Sequence, residues 1–404
     1  MASRVVEHDR LKKLKDTVAV VGVGESDYVG DYRSGAKGNA AEKGSGALNS
    51  YQLAAIALKR ALDDAGLTKD DIDGLVVGGP MSTERTCEVL GINASWCVSG
   101  DAPRGIIAAT QAINAGLCHT VALVYGNAQR SMNTQYGGPQ AMGGDGILSY
   151  VYYAPWGMTS QGGLYSMMFR RHQLVYGTTE EQLGAVSVAF RKHASMNPNA
   201  IMKERFTIED YMNSRYISEP FHLFDYCLIN DGGVAFIIQR RDMANGKQIP
   251  INVSGIGWSE MDIDSTQLRP RLKDFYLPAH HAVREQVYPM SGMTPKDIDV
   301  YATYDSFSTH LLFSLEGFGF CEPGEGGAFI QDGRIEIGGE IPCNTSGGML
   351  SESYMQSWNH QPELVRQLRH AYDGGPRQVK DAEVAQYVHD VAGKCLSVVY
   401  TRGN

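Results

Sequence analysis

A turn with two adjacent glycines is followed by a tyrosine in NTSGGMLSESY, residues 344–354. Backbone N–H groups in a glycine-rich turn can point at an oxygen anion, although an ordinary tight turn has the same composition. A phenol takes a proton from a substrate only if it is itself ionised, and lowering its pKa from about 10 to about 7 requires about 4 kcal/mol. The segment therefore offers Asn344, Gly347, Gly348 and Tyr354 as candidates for binding and acid–base chemistry.

Other kinds of site have weaker support in the sequence. The seven cysteines are dispersed without a CxxC pair, and no histidines have metal-ligand spacing, so we predict no metal site in the chain. GVG follows the first predicted strand, but the GxGxxG spacing typical of dinucleotide binding is absent. The net charge of −9 disfavours a nucleic acid partner.

Cysteine usage and hydropathy indicate where the protein works. An odd, dispersed set of cysteines is typical of a reducing compartment rather than of a disulfide framework. The N-terminal stretch MASRVVEHDRLKKLKDT is charged and lacks the apolar region of a signal peptide. No apolar run approaches the length of a membrane span. We therefore expect a cytoplasmic protein.

The elements that must position these residues come in two similar sets. In the first half, a strand at 17–24 is followed by a helix at 51–67 and by a turn and strand in TKDDIDGLVVGGP, residues 68–80. The second half repeats this order with a strand at 251–258, a helix at 277–293 and TPKDIDVYATYDS at 294–306. Ile72 corresponds to Ile298 at an offset of 226 residues. The repeat predicts an internal duplication of an α/β unit with mostly parallel strands.

The segment 130–220 interrupts the first half and is rich in Tyr, Met, Gly and Trp. It is too apolar for a disordered linker and too rich in glycine for plain helices, so we predict an inserted loop or cap domain over a site. Trp156, Met167 and Met168 belong to this segment and could line an apolar pocket. The predicted domains are residues 1–129 with about 221–248, the insert 130–220, and residues 249–404.

Two duplicated α/β halves, an inserted loop domain and a late NxxGG turn resemble the thiolase superfamily. The resemblance covers almost the whole chain and implies a five-layer αβαβα fold. Thiolases carry a nucleophilic cysteine at the head of a buried helix, where SGDAPRGIIAATQAINAG (99–116) places Ser99. Cys97 lies two residues away, and no His-Asp partner for Ser99 is evident. A second thiolase loop, Asn-Glu-Ala-Phe, is replaced here by YDSF, residues 304–307.

The third thiolase loop is Asn-x-x-Gly-Gly followed by Gly-His-Pro. Asn344, Gly347 and Gly348 match it, but Tyr354 stands at the histidine position. The late cysteine loop corresponds to HDVAGKC, where either His389 or Cys395 could lie nearest the site. The resemblance thus implies a retained scaffold without the thiol machinery.

This combination is similar to the thiolase-like aldolases of the lipid-transfer-protein group, which shorten steroid side chains. The likeness extends through NAQRSMNTQYG (127–137), RKHASMNPNA (191–200) and SRYISEPFHLFDYCLINDGG (214–233). It implies retro-aldol cleavage of a bulky β-hydroxyacyl-CoA into a ketone and a short acyl-CoA, without a cysteine nucleophile. Coenzyme A would enter as part of the substrate, and no covalently bound cofactor is expected.

The resemblance also implies roles for individual residues. Tyr304 and Tyr354 would be the catalytic pair, with Tyr354 the preferred base, although the two roles could be exchanged. Asp305 would either orient a catalytic group or cap the following helix, and His389 would be an additional base. The expected substrate and CoA-binding residues are Ser99, Asn344, Gly347 and Gly348.

A homodimer is implied, as is a small zinc-ribbon/OB-fold accessory protein that is itself linked to a hydratase. Two other functions remain open at this stage. One is a thiolase or acyltransferase that works through Cys97. The other is a non-catalytic carrier of acyl-CoA or lipid, which would bind the thioester tightly without releasing a ketone.

Overall fold

The computed structural model describes residues 8–35, 46–134, 156, 160–244, 246–261, 276–391 and 393–403. Up to residue 134 its elements are α1 (His8–Lys12), β1 (Val18–Glu25), α2 (Tyr28–Gly35), α3 (Ser50–Ala65), β2 (Gly74–Gly78), α4 (Thr83–Leu90), β3 (Trp96–Ser99), α5 (Ala102–Asn114) and β4 (Thr120–Ala128). The central part contains α6 (Gln161–Tyr176), α7 (Glu180–Met196), α8 (Ile208–Met212), β5 (Tyr216–Ser218), β6 (Phe221–His222) and β7 (Asp231–Arg240). The last part contains β8 (Ile251–Glu260), α9 (Leu277–Ser291), β9 (Val300–Thr303), α10 (Thr309–Phe318), α11 (Gly326–Ile330), α12 (Gly348–Ser351), α13 (His360–Leu368), β10 (Val384–Val391) and β11 (Lys394–Arg402).

Nine of these strands form one mixed sheet in the order β3-β2-β4-β7-β1-β8-β11-β10-β9. The first five come from the N-terminal half and the last four from the C-terminal half. Only a short antiparallel pairing joins the halves, between Ala19 and Asn252 and between Val20 and Ile251. β2 and β4 are buried along their whole length, as expected for parallel strands covered on both faces.

Helices cover both faces of each half. α3 packs on β1, β4 and β7, whereas α9 packs on β8 and β11. Between the halves, α5 contacts β2, β4 and β7 on one side and β8 and β11 on the other, and α13 contacts β1 as well as β9 and β10. α5 and α13 therefore lie between the two halves of the sheet, which gives the layers helix, sheet, helix, sheet, helix and confirms the predicted thiolase-like fold. The prediction of mostly parallel strands was wrong, because five of the eight pairings between the described strands of this sheet are antiparallel.

The glycines of the GVG sequence serve helix packing. A β-carbon on Gly22 would lie 2.2 Å from the carbonyl oxygen of Ala61, and one on Gly24 would lie 2.2 Å from that of Ala57. Glycine at these positions lets α3 lie directly on β1. The packing accounts for a motif that lacks the spacing of a dinucleotide-binding loop.

The repeat seen in the sequence is also a repeat in structure. Thr68 and Asp71 form a reciprocal capping box in the turn before β2, and Thr294 and Asp297 form the same box before β9. Thr294 and Asp297 each follow their counterpart in the first pair by 226 residues, the offset found in the sequence. The two halves therefore present equivalent strands, and Tyr304 follows the second of them directly.

Between β4 and β7, the described residues form three α-helices, a short 3-10 helix and the β5–β6 ladder. α7 packs against α10 and α12, so the insert contacts the C-terminal half directly. Before the insert, residues 28–35 form α2. Residues 135–155 and 157–159 of the predicted cap lie outside the described residues. Within the described ranges, no helix combines the length and apolar character needed to cross a bilayer.

Candidate active site

Tyr304 and Tyr354 meet in the buried interior of the C-terminal half. Tyr304 follows β9, where its N–H donates to the carbonyl of Val388 at 2.8 Å. Tyr354 lies three residues after α12. Their hydroxyl oxygens are 3.4 Å apart, and the side chains are 6% and 7% exposed. Met349 packs against both rings. The structure thus pairs two phenols that are separated by 50 residues in the chain.

Two asparagines from the N-terminal half hold the backbone of Tyr354. The N–H of Tyr354 donates to Asn230 Oδ1 at 2.7 Å, and Asn127 Nδ2 donates to the carbonyl of Tyr354 at 3.1 Å. Both asparagines are fully buried. A buried amide with both groups engaged restricts the backbone strongly, so these residues fix the position of the phenol.

Asp305 points away from the phenols and toward α12. Its Oδ1 accepts a hydrogen bond from the N–H of Met349 at 2.9 Å, and its Oδ2 accepts one from Leu350 at 3.2 Å. Nε2 of His360 lies 3.0 Å from Oδ1. Asp305 therefore caps the first turn of the helix that leads to Tyr354. The sequence had suggested a cap on the helix that directly follows Asp305, which is α10, and this was wrong because the carboxylate caps α12 instead. Orientation of a catalytic group by Asp305 stays a prediction.

The residues of NTSGG connect the segment that carries Tyr304 with the segment that leads to Tyr354. Asn344 Oδ1 accepts the N–H of Thr303 at 2.8 Å, and its Nδ2 donates to the Thr303 carbonyl at 3.0 Å. A β-carbon on Gly348 would lie 2.1 Å from Asp305 Oδ2, and one on Gly347, whose φ is +103°, would lie 2.5 Å from the β-carbon of Ala194. These contacts give all three residues a positioning role, while their predicted contact with substrate stays a prediction.

His389 lies against Tyr304, with the ring centroids 4.6 Å apart. It belongs to a β10–β11 hairpin rather than to an open loop, and Cys395 packs instead in the core around α10. Burial lowers the pKa of His389 to about 4, although Asp101 and Asp390 act in the opposite direction. Its Nδ1 is buried without a hydrogen-bond partner among the described residues. At neutral pH the ring is therefore uncharged and able to accept a proton.

Three further polar residues next to Tyr304 were missed by the sequence analysis. Ser306 Oγ lies 2.9 Å from His310 Nε2, and His310 Nδ1 lies 2.8 Å from Asp390 Oδ1. The His310 ring meets the Tyr304 ring edge-on, with centroids 5.3 Å apart. Two signals were available in the sequence: a histidine in the otherwise apolar helix THLLFSLEGF, and an aspartate directly after His389.

Burial alone would raise the pKa of Asp390, but the two histidines beside it outweigh this effect and hold the pKa well below its ordinary value. The second of these histidines is His280, whose Nε2 lies 3.3 Å from Asp390 Oδ2. Asp390 is therefore a carboxylate, and as an acceptor only it receives the Nδ1–H of His310.

Ser99 is the last residue of β3 and is exposed. The residue that heads α5 is Asp101, whose Oδ1 accepts the N–H of Arg104 at 3.1 Å. Asp101 also lies 3.4 Å from Lys394 Nζ and contributes to the electrostatic environment of His389. In this protein the residue at the head of α5 is therefore a carboxylate, Asp101, and Ser99 lies two residues before it at the end of β3.

Cys97 packs with Cys87 against the core between α3 and the sheet. This core is separate from the cluster of Tyr304, Met349 and Tyr354. Burial, together with the neighbouring Cys87, raises the pKa of Cys97 to about 12. Cys227 is the thiol that packs against the tyrosine cluster, and burial raises its pKa well above the ordinary value, with Asp305 adding to the effect.

A cavity of about 540 Å³ opens beside Glu352, and neither catalytic candidate tyrosine lines it. Its charged groups already have protein partners: Arg366 pairs with Glu25, and Arg377 Nη2 lies 2.7 Å from Glu363 Oε2.

Within the described parts of the chain, no group of three or more His, Cys, Asp or Glu residues is arranged to hold a metal ion.

Residues 263–401 match the family described as thiolase C-terminal domain-like. The chain is 33% identical over 374 residues to the steroid side-chain-cleaving aldolase of Thermomonospora curvata, a match that covers 88% of this chain and 91% of that protein. It is 35% identical over 378 residues to the 17-hydroxy-3-oxo-4-pregnene-20-carboxyl-CoA lyase of Mycobacterium tuberculosis, covering 88% and 92%.

Solved structures give the same grouping. The Ltp2-ChsH2(DUF35) aldolase aligns with a TM-score of 0.83 and 30% identity over 96% of this chain and 98% of that one. Human mitochondrial 3-ketoacyl-CoA thiolase in complex with CoA aligns with a TM-score of 0.67 and 12% identity over 97% and 99%, a likeness that concerns the fold alone. The chain therefore belongs to the thiolase superfamily, in the branch that contains the steroid side-chain-cleaving aldolases.

Proposed function

We propose that this protein is a retro-aldolase that cleaves a β-hydroxyacyl-CoA thioester into a ketone and a shorter acyl-CoA. The observation that carries the proposal is the pair of buried phenol oxygens, Tyr304 and Tyr354, 3.4 Å apart. Retro-aldol cleavage needs a base for the β-hydroxyl, stabilisation of the enolate oxygen, and a proton for the enolate carbon. It needs no acyl-enzyme, and therefore no nucleophile.

In the proposed mechanism the phenolate of Tyr354 removes the proton of the β-hydroxyl. The Cα–Cβ bond then breaks, the ketone leaves, and the electron pair passes into the thioester enolate. Burial disfavours a phenolate, but the hydroxyl of Tyr304 can donate a hydrogen bond to it, and such charge-assisted hydrogen bonds are strong. Because Asn127 and Asn230 hold Tyr354 at both backbone groups, the base is positioned before substrate binds.

The surroundings of the thiols support chemistry without a cysteine. Only a thiolate is an effective nucleophile, and burial holds Cys97 and Cys227 in the thiol form. Cys97 also packs in a different core from the two tyrosines. An acyltransferase that works through Cys97 is therefore the weaker proposal.

The names of the relatives support a bulky substrate. One relative is a lyase of 17-hydroxy-3-oxo-4-pregnene-20-carboxyl-CoA, and another cleaves steroid side chains. For this chain we propose a thioester whose β-hydroxyl is carried by a tertiary carbon of a ring system. Cleavage at such a carbon releases a cyclic ketone rather than an aldehyde, because the carbon bears no hydrogen.

We also propose that the chain forms a homodimer and binds a zinc-ribbon/OB-fold accessory protein linked to a hydratase. The support is the solved aldolase with a DUF35 component, which aligns over 96% of this chain. Any zinc would belong to that partner.

The proposal is tested by product analysis. The purified chain, alone and with a DUF35-type partner, is mixed with a tertiary β-hydroxyacyl-CoA, and the products are identified by mass spectrometry. We expect equal amounts of ketone and acyl-CoA. Free CoA without ketone, or a protein adduct that carries the acyl group, would overturn the proposal. Tight binding of the thioester by the complete assembly without any product would favour a carrier instead.

A further inference from the structure

Ser306, His310 and Asp390 form one hydrogen-bonded chain of a hydroxyl, an imidazole and a carboxylate. The two contacts are 2.9 Å and 2.8 Å long. All three side chains are buried. Since Asp390 accepts the Nδ1–H of His310, the remaining ring nitrogen, Nε2, faces the serine hydroxyl. This arrangement allows a proton to move between the imidazole and Ser306 Oγ.

The Ser306 end of this hydrogen-bonded series lies beside the tyrosine pair. The ring of His310 that contacts Ser306 also meets the Tyr304 ring edge-on. Cys227, which packs against the cluster of Tyr304 and Tyr354, donates its N–H to the carbonyl of Ser306 at 3.1 Å. Asp305, which lies between Tyr304 and Ser306, points the other way to cap α12. The serine is therefore next to the site at which cleavage would take place.

Two phenols leave one requirement of the reaction unmet. In the proposed mechanism the hydroxyl of Tyr304 donates to the Tyr354 phenolate, and this phenolate becomes a neutral phenol when it takes the hydroxyl proton. Neither phenol is then assigned to deliver a proton to the enolate carbon. We propose that Ser306 is this catalytic proton donor, and that His310 and Asp390 act through it as positioning residues. This inference rests on the proposed retro-aldol function and adds a residue to its site.

The Ser306 O–H bond breaks as its proton forms the new Cα–H bond of the acyl-CoA. The Nε2–H of a protonated His310 passes to Ser306 Oγ, which restores the hydroxyl and leaves a neutral imidazole hydrogen-bonded to Asp390. Tyr354 has gained one proton and His310 has lost one, so transfer of a proton from Tyr354 to His310 through solvent completes the cycle.

A further activity follows from the reverse of this step. Neutral His310, acting through Ser306, would remove an α-proton from a short acyl-CoA even when no ketone is present. The protein would then exchange the α-hydrogens of acetyl-CoA or propionyl-CoA with solvent. This exchange is a partial reaction that does not involve the Cα–Cβ bond or the base Tyr354.

A second chain of the same kind provides a matched control. Thr178 Oγ1 lies 2.9 Å from His172 Nδ1, and His172 Nε2 lies 3.2 Å from Glu316 Oε1. These residues are also buried. His172 packs against Tyr176, Tyr276 and Phe313, which are outside the cluster of Tyr304, Met349 and Tyr354. Thr178→Val removes a hydroxyl from this chain with little change in volume.

The experiment places the full-length protein, together with its accessory partner where activity requires one, in D2O with propionyl-CoA or acetyl-CoA. Deuterium incorporation is followed by mass spectrometry. We expect exchange by the wild type, a loss of at least about 100-fold in Ser306→Ala, and a comparable loss in His310→Gln. Ser306→Cys keeps a transferable proton and should retain exchange within about 10-fold, while Thr178→Val should match the wild type.

Absence of exchange in the wild type, or exchange by Ser306→Ala at the wild-type rate, would overturn the inference. Tyr354→Phe separates it from the proposed function, because this variant should still exchange α-hydrogens while losing cleavage. If Tyr354→Phe cleaves the thioester at the wild-type rate, the proposed function fails whatever the exchange rates are.

Discussion

The carboxylate of Asp305 occupies the space that a side chain at Gly348 would need, since a β-carbon there would lie 2.1 Å from Oδ2. This close approach lets Asp305, one residue after Tyr304, accept hydrogen bonds from the first turn of α12. The loop of one phenol therefore fixes the helix that leads to the other.

Gly348→Ala should destabilise the protein by about 2–4 kcal/mol, because the new methyl group must displace Asp305 and the residue keeps a left-handed φ of +61°. Gly374→Ala is the matched control, since its φ is +79° and no atom lies within 4 Å of the added carbon. It should cost about 1 kcal/mol. Urea unfolding of both variants measures the difference, and equal losses would mean that the Asp305–Gly348 contact does not restrict the site.

Asp305→Asn should lower both stability and turnover. An amide oxygen can keep one of the two backbone hydrogen bonds, so we expect a loss of about 2 kcal/mol and a fall in kcat of about 10-fold as α12 shifts. Asp299→Asn is the control, because Asp299 Oδ2 also accepts two backbone N–H groups, from Glu383 and Val384, each at 2.9 Å. The introduced amide oxygen can accept both bonds but without the charge of the carboxylate, so this variant should lose about 1 kcal/mol of stability and keep kcat. Loss of kcat in both variants would assign the effect to general destabilisation.

Acid should destabilise the protein through His389. The folded state does not protonate this residue until a pKa of about 4, whereas an unfolded histidine protonates near about 6.5. Between these values the unfolded chain binds more protons, so stability is lost as the pH falls, by about 2 kcal/mol from this group at pH 5. His193, whose pKa burial also lowers to about 4, acts in the same direction.

The measurement for His389 is the free energy of unfolding at pH 8 and pH 5 for the wild type and His389→Gln. The variant should lose about 2 kcal/mol less than the wild type over this interval. An identical pH dependence would show that the imidazole is not held neutral in the folded state.

Cys97→Ser should leave cleavage within about two-fold of the wild type, since it is a small change in a half-buried side chain away from the phenols. The residue packs beside Cys87 in the core next to α3 rather than with the phenols. Steady-state kinetics and mass spectrometry of the protein after mixing with acyl-CoA provide the check. An acyl adduct on Cys97, together with inactivity of the serine variant, would establish thiol chemistry instead.

Sequence patterns were informative where the chemistry is local. The repeat at an offset of 226 residues predicted the two equivalent strands, and the NTSGG and YDSF motifs placed Tyr354 and Tyr304 next to the ends of defined elements. His389 was named from HDVAGKC, which the resemblance made a loop, and the structure brings its ring to 4.6 Å from that of Tyr304.

Contacts between distant elements could not be predicted in this way. His310 and Asp390 are separated by 80 residues and meet only because α10 packs against β10. Asn127 and Tyr354 are 227 residues apart and come from different halves. An ungapped alignment set Ser99 at the nucleophile position; in the structure Ser99 ends β3 and Asp101 heads α5, while contact of Ser99 with substrate stays a prediction.

Single-turnover cleavage by Tyr354→Phe tests the central claim most directly. A tertiary β-hydroxyacyl-CoA is mixed with excess enzyme, and ketone release is followed alongside the Kd for the thioester. Tyr400→Phe, which removes a buried hydroxyl that donates to Gln361 at 2.6 Å, is the control. We predict that Tyr354→Phe slows release by at least about 100-fold with little change in Kd, whereas Tyr400→Phe keeps the wild-type rate. Ketone release by Tyr354→Phe at the wild-type rate would contradict catalysis by the tyrosine pair.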